Sequence, residues 1–167
     1  MATAAGVSVD EYLETTYHPD CDYVDGEVRE RNVGEIDHSR LQVSLGSYLF
    51  TREQLWGIRA LTEQRVQVKT WKFRVPDVAV VAGILPATRI LMEPPLLCVE
   101  ILSGEDRMQD MLERIFDYLD FGVKCVWVLD PRTRRGFVYT ADGMREAKDG
   151  VLRVADTDIA VPLAELA

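Results

Sequence analysis

Three short runs constrain this chain more than anything else in it: Val78-Ala79-Val80-Val81, Leu96 to Leu102 (LLCVEIL) and Cys125-Val126-Trp127-Val128-Leu129 are continuous and mostly apolar or β-branched. A strand with one wet face alternates polar and apolar residues, so unbroken runs of this length predict central strands covered on both faces. Between the second and third runs, Met108, Met111, Leu112, Ile115, Phe116 and Leu119 recur at helical spacing, and Gly122 follows as a stop. Strand, helix and strand in that order predict a right-handed parallel crossover, and with it an α/β sheet flanked by helices.

Two of these runs carry an ionisable group where none belongs. Asp77 follows Pro76 at the mouth of the first run, and Glu100 interrupts the second. An unpaired buried carboxylate costs several kcal/mol, so each acid must be paired, hydrogen-bonded, protonated or bound to a cation. Singly, Asp77 can cap a turn and Glu100 can meet an arginine from a neighbouring helix. Together, on adjacent antiparallel strands, an acid at the start of one and an acid near the end of the other meet at a common edge. Two carboxylates and a backbone carbonyl make a hard oxygen site of the kind Mg²⁺ uses.

The remaining chain reads as smaller elements. Ser8 with Glu11 three residues on predicts a first helix over about residues 8 to 15, stopped by His18-Pro19-Asp20. Asp25-Gly26 between apolar positions predicts a tight hairpin. Leu41, Leu45, Tyr48 and Leu49 predict one long helix from Asp37-His38-Ser39 to Trp56-Gly57. Glu63 to Lys69 alternates as a half-exposed strand and turns near Lys72 into the run after Asp77; a loop with Pro86, Pro94 and Pro95 follows. Phe137-Val138-Tyr139 and Leu152-Arg153-Val154 look like edge strands. No linker or repeat breaks the chain, which predicts a single domain over 1–167: a short N-terminal helix and hairpin at 8–33, a core at 35–140 and a small β extension at 141–167.

No apolar run reaches the roughly 20 residues of a membrane span, and the N-terminal stretch has no secretory pattern, so a cytoplasmic protein with no membrane partner is expected. Cys21, Cys98 and Cys125 show no metal or disulfide spacing. The net charge of −9 argues against bulk attraction to nucleic acid, but residues 1 to 35 hold nine acids against two bases and so carry −7 of it. The segment from Arg59 to Arg89 is locally basic, with Arg59, Arg65, Lys69, Lys72, Arg74 and Arg89 against Glu63 and Asp77. It reads either as a face for a charged ligand or as the solvated side of a hairpin.

The order Pro76-Asp77, Glu100-Ile101-Leu102, helix, and then Gly122 to Pro131 resembles the Uma-type putative restriction endonuclease family, a branch of the PD-(D/E)xK nuclease superfamily. The likeness extends through Asp22-Tyr23-Val24-Asp25-Gly26-Glu27, His38 and Leu102-Ser103, over roughly residues 8 to 140. It implies a restriction-endonuclease-like mixed sheet of four to five strands flanked by helices. It also implies Asp77, Glu100 and the Ile101 carbonyl as ligands of Mg²⁺ or Mn²⁺, with a nearby cation offsetting charge on the phosphate. In the superfamily that cation is a lysine two residues after the glutamate, which here is Leu102; in the Uma-type pattern it is a helix lysine four residues before a tyrosine. Counting back from Tyr118 gives Arg114. Arginine keeps the charge but is a poor proton acceptor, since its pKa lies above about 12. Arg114 could equally pair with Asp110 or Asp117 along its own helix. His38 either positions water or phosphate or is a helix-start hydrogen-bonder without catalytic duty.

The expected function is a metal-dependent endonuclease on DNA phosphodiesters, with Asp77, Glu100, Arg114 and His38 as catalytic residues. DNA binding is expected to be weak and salt-sensitive, and a homodimer is compatible with the pattern. The alternative is a binding or dimerisation module that keeps the nuclease fold without its chemistry. Action on another phosphoester stays open, because no base-reading motif is present.

Overall fold

In the computed structural model, which describes residues 6–32 and 35–166, the chain begins with helix α1, Val9–Glu14. Ser8 caps it, its hydroxyl accepting from the Glu11 amide at 3.1 Å as the sequence predicts. Strands β1, Asp22–Val24, and β2, Glu27–Arg29, pair antiparallel around Asp25 and Gly26. Both turn residues have positive φ, 49° and 94°, which is why Asp-Gly stands there. Residue 33, the predicted end of this segment, lies outside the described residues.

The long helix is where sequence and structure part. Helix α2 covers Ile36–Phe50, and a separate turn of helix, α3, covers Glu53–Trp56 before Gly57. The break sits at Thr51 and Arg52: the Thr51 hydroxyl donates back to the Ser47 and Tyr48 carbonyls, and Arg52 leaves helical geometry at φ −111°, ψ 8°. The apolar pattern continues across this break, so periodicity alone does not reveal it.

Strands β3, Ile58–Thr62, β4, Val66–Lys69, β5, Lys72–Arg74, β6, Val78–Ala82, and β7, Leu97–Ile101, come next. Helix α4, Met108–Phe121, ends at Gly122 with φ 110°, a left-handed stop that a side chain would strain. Strand β8, Cys125–Asp130, runs parallel to β7, which completes the predicted crossover. Strands β9, Arg135–Thr140, β10, Gly143–Glu146, β11, Val151–Arg153, and β12, Ala160–Pro162, lead to a 3₁₀ turn at Leu163–Leu166.

The main sheet has six strands in the order β10-β9-β8-β7-β6-β3, one or two more than predicted; β9 is internal rather than an edge. A second sheet, β2-β1-β5-β4, takes up the strands on either side of Trp71, so β4 and β5 do not join β6 as a continuous hairpin would. The two-stranded β11-β12 ribbon is separate. Among the described residues no helix is long and apolar enough to cross a membrane.

Alternation along the central strands explains both faces. Val78, Val80, Leu97, Val99, Ile101, Cys125, Trp127 and Leu129 pack with Leu45 and Leu49 of α2. Ala79, Cys98, Val126 and Val128 pack with Met111, Ile115 and Tyr118 of α4. The C-terminal Leu152, Val154, Ile159, Val161 and Leu166 close the α2-side core. A third cluster, Tyr12, Tyr23 and Phe73, fastens α1 to the second sheet. By the same two-residue period Glu100 lies on the α4 face, beside Tyr118 and Arg114, whereas Asp77, just before β6, meets Arg31 and the α2 residue His38.

Candidate active site

Strands β6 and β7 are antiparallel, with Val78 opposite Val99, and one further step of that register sets Asp77 against Glu100. Residues directly opposite on antiparallel strands are close neighbours, so the two acids share an edge of the sheet. Both are buried, at 2% and 1% exposure.

Each carboxylate is held by different partners. Asp77 Oδ1 accepts from Arg31 Nη2 at 2.5 Å, while Oδ2 accepts from the Ile101 amide at 2.7 Å and lies 3.2 Å from His38 Nε2. Burial alone would raise its pKa; the His38 contact and the Arg31 charge outweigh burial and hold it below the usual carboxylate value. In return the Asp77 contact lifts the His38 pKa above 6.5, against the effect of burial. Glu100 Oε1 accepts from the Tyr118 hydroxyl at 2.7 Å, and Oε2 lies 3.4 Å from Arg114 Nη1. Here burial wins: it pushes Glu100 up to about 7, with Arg114 opposing and the Asp77 charge adding to the rise.

The predicted site residues therefore come together, with changes of partner. His38, at the start of α2, is buried beside Asp77. It is the Ile101 amide, from the residue predicted to offer its carbonyl, that meets Asp77. Arg114 pairs with neither Asp110 nor Asp117; its Nε lies 3.2 Å from Asp22 Oδ2 and its Nη1 faces Glu100. Residues 110 and 117 lie on its own helix, whereas Asp22 and Glu100 approach from two sheets, a convergence no local pattern encodes.

A second ionic cluster adjoins the first. Arg74 donates from Nη1 to Asp22 at 2.9 Å, from Nε and Nη2 to Asp117 Oδ2 at 2.8 and 2.6 Å, and from Nη2 to Glu113 at 2.8 Å. Asp22 Oδ1 also accepts from the Val75 amide at 2.9 Å, and Lys72 reaches Asp117 at 3.1 Å. Three of the bases in the basic segment, Arg65, Lys72 and Arg74, are thus spent on internal acids, Arg65 on Asp20 at 2.6 Å. Lys69 remains largely exposed. Arg31 and Asp22 are the site residues to which sequence reasoning gave no role. Arg31 sits in irregular chain with no periodicity to mark it; the only signal for Asp22 is its place in the acid-aromatic element.

A polar cleft of about 380 Å³ opens beside the pair, lined by Glu30, Asn32, Asp106, Arg107, Asp110 and Arg114 among others. It reaches Arg114 but neither Asp77 nor Glu100. Among the described residues no three His, Cys, Asp or Glu side chains form a ready metal cage. The donors that this edge offers are two buried carboxylates, one of them pushed toward neutrality; a pair of hard oxygen ligands is what a cation such as Mg²⁺ uses.

A six-stranded mixed sheet flanked by helices, carrying an acid at the mouth of one central strand and a second on its neighbour, is the architecture of a restriction-endonuclease-like protein. The family model for Uma2, described as a putative restriction endonuclease, matches residues 9–162, and the chain belongs to that family. Solved structures agree on the fold: five chains match, among them the crystal structure of a putative nuclease belonging to DUF820 from Anabaena variabilis. That one shares 20% sequence identity, spans 96% of this chain and 97% of its own, and superposes with a TM-score of 0.79. Among curated proteins there is no match.

Proposed function

We propose that this protein is a metal-dependent endonuclease that hydrolyses DNA phosphodiester bonds, with Asp77 and Glu100 as the ligands of Mg²⁺ or Mn²⁺. The observation that supports the reading is the β6–β7 register, one step beyond which the buried acids Asp77 and Glu100 stand opposite each other at the ends of adjacent strands. Membership of a family described as putative restriction endonucleases supports it. Bound there, a divalent ion supplies an acidified water and charge neutralisation at phosphate.

The chain's own residues fill the other roles. Tyr118 holds Glu100 by its hydroxyl, and the Ile101 amide holds Asp77, so both carboxylates are fixed before any ligand arrives. His38, with Nε2 3.2 Å from Asp77 Oδ2, holds that carboxylate in place. Arg114 lines the cleft and offers positive charge to a phosphate there, as a clamp rather than a proton acceptor.

One observation favours the second reading, a nuclease-fold binding module. Arg114 is already engaged with Asp22 and Glu100, and four acids, Glu30, Glu105, Asp106 and Asp110, rim the cleft against two arginines. Cleavage of single- and double-stranded DNA with Mg²⁺ or Mn²⁺ separates the two. Native activity is expected to be low; Arg114→Lys raises it, since general acid-base assistance is worth roughly 10² to 10⁴-fold, and Glu100→Gln abolishes it. Equal inactivity of all three, with DNA still bound, decides for the binding module. Full native activity with no gain in Arg114→Lys makes Arg114 a clamp or a bystander.

A further inference from the structure

The chain's buried and half-buried arginines are not used alike. Arg74 donates from all three nitrogens to Asp22, Asp117 and Glu113. Arg65 does the same toward Asp20 and the carbonyls of Tyr12 and Thr15. Arg31 is as deeply placed, at 6% exposure, yet only its Nη2 has a partner; Nε and Nη1 have none among the described residues. A buried guanidinium with unmet donors bears the cost of leaving water without the return that full hydrogen bonding gives.

The place where the chain tolerates this is informative. Asp77 Oδ2 is committed to the Ile101 amide and lies beside His38, so Oδ1 is the oxygen left to offer a cation, and Arg31 sits on it. Arg31 follows β2 by two residues, in chain outside every strand and helix, so its side chain can leave without breaking a ladder. Its charge also bears on Glu100, favouring the ionised carboxylate against burial.

We propose that Arg31 is a displaceable counter-ion: its guanidinium occupies the cation position at Asp77 and is driven off when a divalent metal takes the carboxylate pair, so Arg31 sets how tightly metal binds. The inference rests on the metal reading of Asp77 and Glu100 given above. No bond is made or broken in the exchange; one cation replaces another, and the released guanidinium gains the water or phosphate acceptors that its two idle nitrogens lack.

The test is Mn²⁺ affinity of the full chain at constant pH, by calorimetry and by the electron paramagnetic resonance of free Mn²⁺. Arg31→Met binds Mn²⁺ at least about tenfold tighter than the native protein, as expected when a unit charge is removed from beside the ion. Arg31→Gln, which keeps an N–H for Asp77 but drops the charge, shows the same gain and carries the test if Arg31→Met does not fold. Arg31→Lys stays near the native value, and Asp77→Asn loses binding. If the native protein and the neutral variants bind equally, and Asp77→Asn does not bind, the counter-ion role is overturned while the metal reading stands. If none of them binds Mn²⁺, the metal reading falls and takes this inference with it.

Discussion

Two buried ionic clusters lie side by side in this protein, and they are built on opposite principles. Around Arg74, every nitrogen of the guanidinium has a carboxylate, and Asp22 and Asp117 each accept more than one bond. Around Asp77 and Glu100, one arginine has two nitrogens without a partner among the described residues, and one acid is pushed toward neutrality. Burial is similar in both, so depth does not separate them; saturation does. A saturated cluster is complete without any ligand and serves to join elements. The unsaturated one gains by meeting something else, which is the physical sense in which it is a site.

The largest effects come from breaking the saturated side. Asp22→Asn leaves the Arg74 and Arg114 guanidinium groups short of an ionic partner and costs about 3–5 kcal/mol of stability by urea unfolding. Arg31→Met costs less, about 1–2 kcal/mol, because two unmet donors leave with the charge. Equal losses for the two variants would erase the distinction between the clusters.

A pH series sharpens the comparison next. Burial pushes the Glu100 pKa from 4.5 up to about 7 in the fold, so its protonated form favours folding. That stability is full below 4.5 and is lost as pH rises through about 7, roughly 3 kcal/mol in all if the whole shift is realised. His38, raised from 6.5, acts in the same direction: its contribution is present below 6.5 and is lost above its folded value. Asp77, lowered from 3.8, acts in the opposite direction and loses its contribution as the solution is acidified through its folded value. Urea midpoints of the native protein therefore fall between about pH 5 and 7.5, and those of Glu100→Gln fall much less. A flat native profile over that range would mean that the pair stays ionised together.

The smallest effect is on DNA affinity. With Arg65, Lys72 and Arg74 spent on internal acids, few bases of the Arg59–Arg89 segment remain for phosphates. Affinity is expected to be weak and to decline with salt by a slope of only about one to two ion equivalents. A slope several times steeper, in a fluorescence-anisotropy titration, would place the nucleic-acid face elsewhere.

What could be read from the sequence follows from how local each signal is. The β7-α4-β8 unit was legible because Leu97 to Ile101, the Met111-Ile115-Tyr118 stripe and Cys125 to Leu129 each declare their period within a few residues. Asp77 and Glu100 stood out because an acid inside an apolar run violates that same local rule. The division of β4 and β5 from the main sheet was not legible, since pairing β5 with β1 joins Phe73 to Tyr23 across fifty residues of chain. Nor was the partner of Arg31, which lies 46 residues from Asp77, or that of Arg74, 52 residues from Asp22. An arginine's partner at that distance is a property of topology, and the helix-borne Arg114 shows it: the neighbours it has in sequence are not those it has in space.

Asp22 lies in β1, Arg74 in β5 and Asp117 in α4, so the arginine knot rivets the second sheet to the crossover helix of the first. Val66 and Val68 of β4 also pack in the α4-side core, and separating the sheets would strand charges in both. Neither half can therefore open alone at low cost. In native-state hydrogen exchange, the amides of β1 and β5 report the same opening event as those of α4, with a common dependence on denaturant, although Asp22→Asn uncouples them and lets the small sheet exchange first.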